Sequence, residues 1–255
     1  MKRFTKLSDL LVLGAVFTGG LLAGFINTLA SNGSLLTLPM LIFFGLSPSV
    51  ANATNRVGVL VQTAASSYQY WRKGRLQYPA GSIPWIITPL LLGSLLGASI
   101  AVDLSEALLN YSIAAVMVVM LLVILFNFKP EEHVHKFQPS IMTFGLFLLI
   151  GCYGGYLQAG ASLLILTTLF AHGISYQIAN GLKLSLVLLL TIPALAIFVW
   201  QDQVNWRLGA VLAAGQALGA VLGTKVAFIN GIEKWVKNLL IVIIVASIVK
   251  LLFWR

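Results

Sequence analysis

Two short polar clusters interrupt an otherwise apolar chain, and their residue types suit the handling of a small anion. The first is Ala51-Asn52-Ala53-Thr54-Asn55-Arg56 and the second is Ala179-Asn180-Gly181-Leu182-Lys183. Each supplies carboxamide or hydroxyl groups and closes on a cation. A charge at the centre of a bilayer costs from ~3 to above ~10 kcal/mol, so such a cation faces a cavity, a partner or the membrane surface. The chain has only seven Asp and Glu, all at expected loops or helix ends. An anionic ligand is therefore the counter-charge that the composition favours. Snorkelling of Arg56 or Lys183 to lipid headgroups is the competing reading.

Just upstream of each cluster runs a short apolar segment, Ser34–Phe44 and Ser162–Ala171. At about 1.5 Å per residue, each reaches only half of a ~30 Å hydrocarbon core. The stretch before the first, Gly24 to Ser34, carries Asn27, Thr28, Ser31 and Asn32. Irregular backbone at membrane depth survives only where it is buried in protein or lines a wet cavity. Ser34 is expected to N-cap the first half-helix and Ser162 the second. The free N–H groups and positive dipole ends of two such helices would point at one anion. The candidate substrate-binding set is Asn27, Thr28, Ser34, Asn52, Thr54, Asn55, Arg56, Gln158, Ser162, Asn180 and Lys183. The plainer alternative makes Asn52, Thr54, Asn55 and Asn180 helix caps, and Gln62, Gln158 and Gln216 glue between helices.

The elements that must position these groups follow from composition. The chain has 255 residues, 59% hydrophobic and 9% charged, against roughly a quarter charged in soluble domains. The expected fold class is all-α, a polytopic membrane protein with about 8 transmembrane helices and two short broken or re-entrant half-helices. Apolar spans are expected at Leu10–Ala30, Ile83–Val102, Ala107–Phe126, Ile141–Leu157, Leu182–Trp200, Leu208–Val226 and Leu239–Phe253, with a more polar one at Ala51–Tyr70. The first reads as a retained helix rather than a signal peptide, because it meets Gly and Asn where a small-residue cleavage site would stand.

The net charge of +9 is gathered at Lys2–Arg3–Lys6, Arg72–Lys73–Arg75, Lys225–Lys234–Lys237 and Lys250–Arg255. That is the pattern of positively charged cytoplasmic loops in a multi-pass protein of the cell (inner) membrane, not of a nucleic-acid partner. It predicts the N-terminus and the Trp71–Arg75 loop in the cytoplasm, with Asp103 and Glu106 outside.

The chain also aligns with itself. A shift of 128 residues lays Ser34 on Ser162, Gly45 on Gly173, Asn52 on Asn180 and Asn55 on Lys183; a shift of 131 lays Gly20, Gly24 and Asn27 on Gly151, Gly155 and Gln158. The expected organisation is a first transmembrane repeat at 1–128, a linker at 129–139 and a second repeat at 140–255. Internal repeats with short interrupted segments at matched positions point to a carrier site between the halves. The basic Arg72–Arg75 loop against the nearly neutral Gln201–Arg207 loop favours inverted repeats, whereas four spans per half favour parallel ones.

Other chemistry finds little support. The single cysteine, Cys152, excludes an intrachain disulfide. His133 and His135 read as a solvated linker and His172 as a turn residue. Gly93, Gly97, Gly219 and Gly223 form G-x-x-x-G patterns suited to close helix packing. No cofactor is implied, and no carboxylate falls in an expected span to serve a membrane enzyme.

The ordered set Gly24-Phe-Ile-Asn-Thr, Gly33-Ser-Leu-Leu, Leu38-Pro39, Gly45 and Ala51-Asn-Ala-Thr-Asn-Arg56 resembles the first-repeat signature of the sulfite exporter TauE/SafE family. The resemblance covers nearly the whole chain. It implies an anion transporter, mainly an exporter, of sulfite, an organosulfonate or a related small anion; the duplication adds a secondary carrier working by alternating access, and the coupling ion, H+ or Na+, is open. A passive anion channel and a carrier of small carboxylates are the alternatives; the oligomeric state is open. Two departures are Ser31-Asn32-Gly33, where a more glycine-rich run is usual, and Lys183, where a hydroxyl is common.

Overall fold

The structure, a computed structural model, describes residues 2–30, 33–126 and 139–226, with Asn238, Ile241, Val242 and Val245. Ser31, Asn32, nearly all of the linker including His133 and His135, Lys234, Lys237, Lys250 and Arg255, and most of the span expected at Leu239–Phe253 lie outside the described residues. Those described form nine helices and no strand: α1 (Lys2–Ala30), α2 (Ser34–Phe43), α3 (Pro48–Arg72), α4 (Ile83–Val102), α5 (Glu106–Leu125), α6 (Ile141–Tyr156), α7 (Ala161–Ala171), α8 (Tyr176–Trp200) and α9 (Trp206–Val226). Segments within α1, α4, α5, α8 and α9 are long and apolar enough to cross a membrane. The protein is an integral, multi-pass membrane protein. Helix α3 is as long as α8, but its polar residues are buried inside the bundle rather than presented to lipid.

The helices pack by glycine. A Cβ on Gly20 or Gly24 of α1 would fall within 3.0 Å of the carbonyls of Leu212 and Gln216 on α9; a Cβ on Gly151 or Gly155 of α6 would meet the carbonyls of Leu90 and Ser94 on α4 in the same way. The reciprocal faces are Gly215 and Gly219, against Phe17 and Leu21, and Gly93 and Gly97, against Leu148 and Cys152. Without side chains the backbones approach closely, which is how helices associate where lipid removes the hydrophobic drive.

These contacts also fix direction. Asp9 pairs with Arg207 and Gly24 meets Gln216, so α1 runs parallel to α9. Thr54 bonds the Asn205 amide and Gln69 bonds Thr224, so α3 runs parallel to α9 too. Helices α3 and α8 are antiparallel, because Asn180 meets Tyr70 while Phe198 meets Arg56. Two consequences follow. First, α3 and α8, which carry the two polar clusters, run in opposite senses. Secondly, α1 and α3 start on one face, so the N-terminal end and the Arg72–Arg75 loop lie on opposite faces, not together as the charge pattern predicted. Lys225 closes α9 beside the end of α3 and joins Arg72, Lys73 and Arg75 on the more basic face. The N-terminal lysines mislead because α2 turns back: three elements, not two, precede that loop.

One loop contact ties the start of α5 to the start of α3. Glu106, opening α5, accepts from the Ser49 amide at 3.0 Å and the Ser47 hydroxyl at 2.9 Å, and also bonds the Ser49 hydroxyl. A carboxylate thus covers the N-terminus of α3, where the dipole favours an anion. Glu106→Gln is expected to lower stability by about 1 kcal/mol, read as a few degrees of melting temperature in detergent.

Candidate functional site

Residue by residue, the site is built around Arg56. Its side chain is 0% exposed, so it does not snorkel. The guanidinium donates to the carbonyls of Gly154 (3.0 Å) and Gly155 (2.6 Å) and to Gln158 Oε1 (2.9 Å), and lies 4.8 Å from the Phe198 ring centroid. Those two carbonyls belong to the last turn of α6, which ends at Tyr156. The last carbonyls of a helix have no intrahelical donor and carry the negative end of its dipole. Arg56 supplies donors and opposite charge together, so no carboxylate is needed. Gln158, held this way, donates through Nε2 to Thr191 (3.1 Å), which donates in turn to the Val187 carbonyl. Asn52 adds a bond to the Tyr156 carbonyl at 2.9 Å. The α6–α7 break is thereby fastened to α3 and α8.

Both half-helices exist, with matched surroundings. Each is followed by a left-handed glycine, Gly45 (φ 91°) or Gly173 (φ 75°), and by a serine that starts a 25-residue helix. Helix α2 doubles back along α3, since Phe43 and Pro48 flank one turn and Thr37 donates to Asn55 Oδ1 at 2.5 Å. Its first residue, Ser34, therefore lies one turn past Asn55, near the middle of α3. Likewise α7 starts at the middle of α8: a Cβ on Gly154 would touch both Ala161, the first residue of α7, and Leu190.

Several expectations are corrected. Neither serine caps its half-helix. Gly33 and Gly160 hold the cap positions, and Ser34 and Ser162 lie one and two residues inside, 7% exposed. A side chain at 33 would collide with the Ala23 carbonyl, and Gly160 is left-handed at φ 81°, a conformation that favours glycine. The polar clusters do not open their helices either. Helix α3 starts at Pro48, with its fixed φ suited to a first turn, and α8 starts at Tyr176. Asn52, Asn55, Arg56, Asn180 and Lys183 thus lie in later turns, all nearly or fully buried.

The structure brings Arg56, Asn52 and Gln158 together, and Asn55 joins Thr37 on α2. Asn27 accepts from the Gly33 amide at 3.4 Å, while Thr28 bonds back to the Gly24 carbonyl and Thr54 accepts from the Asn205 amide at the start of α9. Asn180 is elsewhere: its Nδ2 donates to Tyr70 at 2.7 Å. Tyr70 lies 18 residues beyond Asn52 on α3, about 27 Å along the axis. Lys183, fully buried, is one turn inward from Asn180. The two clusters therefore stand at opposite ends of the bundle, and what meets at mid-depth is the pair of half-helix starts. Sequence reading missed Thr37, Tyr70, Thr191 and Phe198. Only Thr37 carried a signal, as a polar residue in the first turn of a half-helix.

Broken helices at mid-depth, crossed by glycine-packed spans, are an arrangement that membrane transporters use. The sulfite exporter TauE/SafE family model matches residues 16–251, and the chain belongs to that family. It is 26% identical over 252 residues to "Probable membrane transporter protein ORF9" of Sinorhizobium sp, covering 94% of this chain and 92% of that one. A "Probable membrane transporter protein" of Haemophilus influenzae is 27% identical, covering 86% and 87%. "Probable membrane transporter protein YfcA" of Escherichia coli strain K12 is 26% identical, covering 95% and 90%.

Proposed function

We propose that the chain is a secondary transporter, not an enzyme, that exports a small sulfur-containing anion such as sulfite or an organosulfonate across the cell (inner) membrane. The substrate sits where α2 and α7 begin, between two inverted repeats at 1–128 and 140–255 joined near 129–139. One repeat rocks against the other around that point. Eight spans in all, lipid as solvent, H+ or Na+ as coupling ion and no nucleic-acid partner complete the reading. The observation that carries it is the arrival of both half-helix N-termini at mid-depth, where free N–H groups and the positive dipole end favour an anion. The recurrence of the same glycine contacts at α1–α9 and α6–α4 supports the duplication.

In this reading Asn27, Thr28, Ser34, Asn55 and Ser162 stand near the ligand. Gln158 and Asn52 hold the break that presents α7, Thr54 supports the start of α9, and Arg56 supplies positive potential and fixes Gln158. Asn180 and Lys183 line the approach from the other end. The test is counterflow in proteoliposomes. Vesicles preloaded with unlabelled sulfite or methanesulfonate are expected to accelerate entry of the labelled anion and to saturate. Flux that rises linearly with concentration and shows no counterflow would mean a channel, and transport confined to carboxylates would overturn the sulfur class.

A further inference from the structure

The two half-helix starts are not equally furnished, and the difference bears on where the charged end of the ligand goes. Helix α2 reaches the level just past Asn55 on α3. On that same face, seven and eleven residues further along, stand Gln62 and Ser66; these spacings are close to whole helical turns. Gln62 is thus about one turn beyond the level at which α2 starts. Gln216 of α9 enters from the side, its Oε1 lying 2.6 Å from where a Cβ of Gly58 would be, and Gly33 packs against Ala23 and Asn27 of α1 across the same start.

These residues are at most 1% exposed. Even so, Asn55 Nδ2, Gln62 Nε2, Ser66 Oγ and both amide atoms of Gln216 have no hydrogen-bond partner among the described residues. Buried polar groups are almost always paired, and each exception asks for a ligand, a water or a function. Four of the five atoms are donors. A donor-rich, carboxylate-free cluster at the positive end of a helix is matched by an anionic oxygen.

The other start is finished differently. By the 128-residue alignment, Gln62 corresponds to Leu190 and Ser66 to Ala194. By the glycine contacts, Gln216 corresponds to Ser94. Leu190 packs beside Ala161 at the start of α7, and its carbonyl is taken by the Ser94 hydroxyl at 2.5 Å. At these matched positions the first half leaves donors open, and the second has an aliphatic side chain and a satisfied serine.

Resting on the transporter reading, we propose that the start of α2 is the oxyanion-head site, with Asn55, Gln62 and Gln216 as its side-chain donors, and that Leu190 beside the start of α7 offers the rest of the ligand an apolar contact. One sulfite or sulfonate group is held, not one at each half-helix. Gln62 and Gln216 are then specificity residues rather than glue between helices.

The test compares wild type with Gln62→Leu, Gln216→Ser and the double variant, which copy the second half. Thermal unfolding in detergent is followed with and without sulfite or methanesulfonate, and flux is measured in proteoliposomes. Without anion, the variants are expected to melt at or above the wild-type temperature, since unpaired polar atoms have been removed. The anion-induced shift is expected to vanish, with apparent affinity about tenfold or more weaker, as loss of a hydrogen bond to a charged group implies. Variants that melt lower and keep the wild-type anion shift would make these residues packing elements and overturn the proposal. Wild type that no sulfur oxyanion stabilises would instead overturn the transporter reading beneath it.

Discussion

Arg56→Ala is expected to collapse both stability and transport, and to do so more severely than any other single side-chain truncation in the bundle. The arginine is fully buried and joins the Gly154 and Gly155 carbonyls, Gln158 and the Phe198 ring. Its removal leaves three acceptors unpaired in a medium that cannot supply water. At about 1–3 kcal/mol for each unmet buried group, the loss is about 3 kcal/mol or more. It also frees Gln158, so the break ahead of α7 loses its fixed geometry. Arg56→Lys separates charge from shape. A lysine keeps the positive charge but offers a compact ammonium in place of a planar fork, and cannot reach all three oxygens while stacking on Phe198. Arg56→Lys is therefore expected to fold, with a lower melting temperature, and to transport well below the wild-type rate. Full recovery of flux by lysine would mean that charge alone matters there and that the bracket on α6 is incidental.

That bracket shows where sequence reading reaches its limit. The half-helices, their matched positions and the special place of Arg56 were legible, because short apolar runs and misplaced cations are compositional signals. The partners of Arg56 were not. Two are backbone carbonyls, which every residue possesses, and they became acceptors only because α6 ends at Tyr156. The caps failed for a similar reason. Ser34 and Ser162 are ideal capping types, yet the close approach of Gly33 to α1 and the left-handed turn at Gly160 decide the matter, and both are tertiary facts. The convergence of the two polar clusters was inferred from their similarity. Because α3 and α8 run antiparallel, their similar segments stand at opposite ends, so likeness in sequence here means distance in space for Asn180 and proximity only for the half-helix starts.

The glycine crossings give the second large effect and test the duplication itself. Gly97→Ala would drive a Cβ into the carbonyl of Cys152, and Gly219→Ala would drive one into the carbonyl of Leu21. A flexible side chain could move aside, but a carbonyl in a helix cannot unless the helices separate. Overpacking of this kind costs about 1–3 kcal/mol or more, enough to lower the melting temperature clearly and to loosen α4 from α6 or α9 from α1. Gly14 and Gly145, matched by the 131-residue shift on α1 and α6, have nothing within 4 Å of an added Cβ. Alanine there is expected to be neutral or to stabilise by up to about 1 kcal/mol through helix propensity. The pattern, not any single value, carries the argument: two matched positions damaged alike and two matched positions spared alike. If Gly97→Ala unfolded the protein while Gly219→Ala left it intact, the crossings would differ in mechanical weight. A rocking motion shared equally by two repeats would then have lost its structural basis.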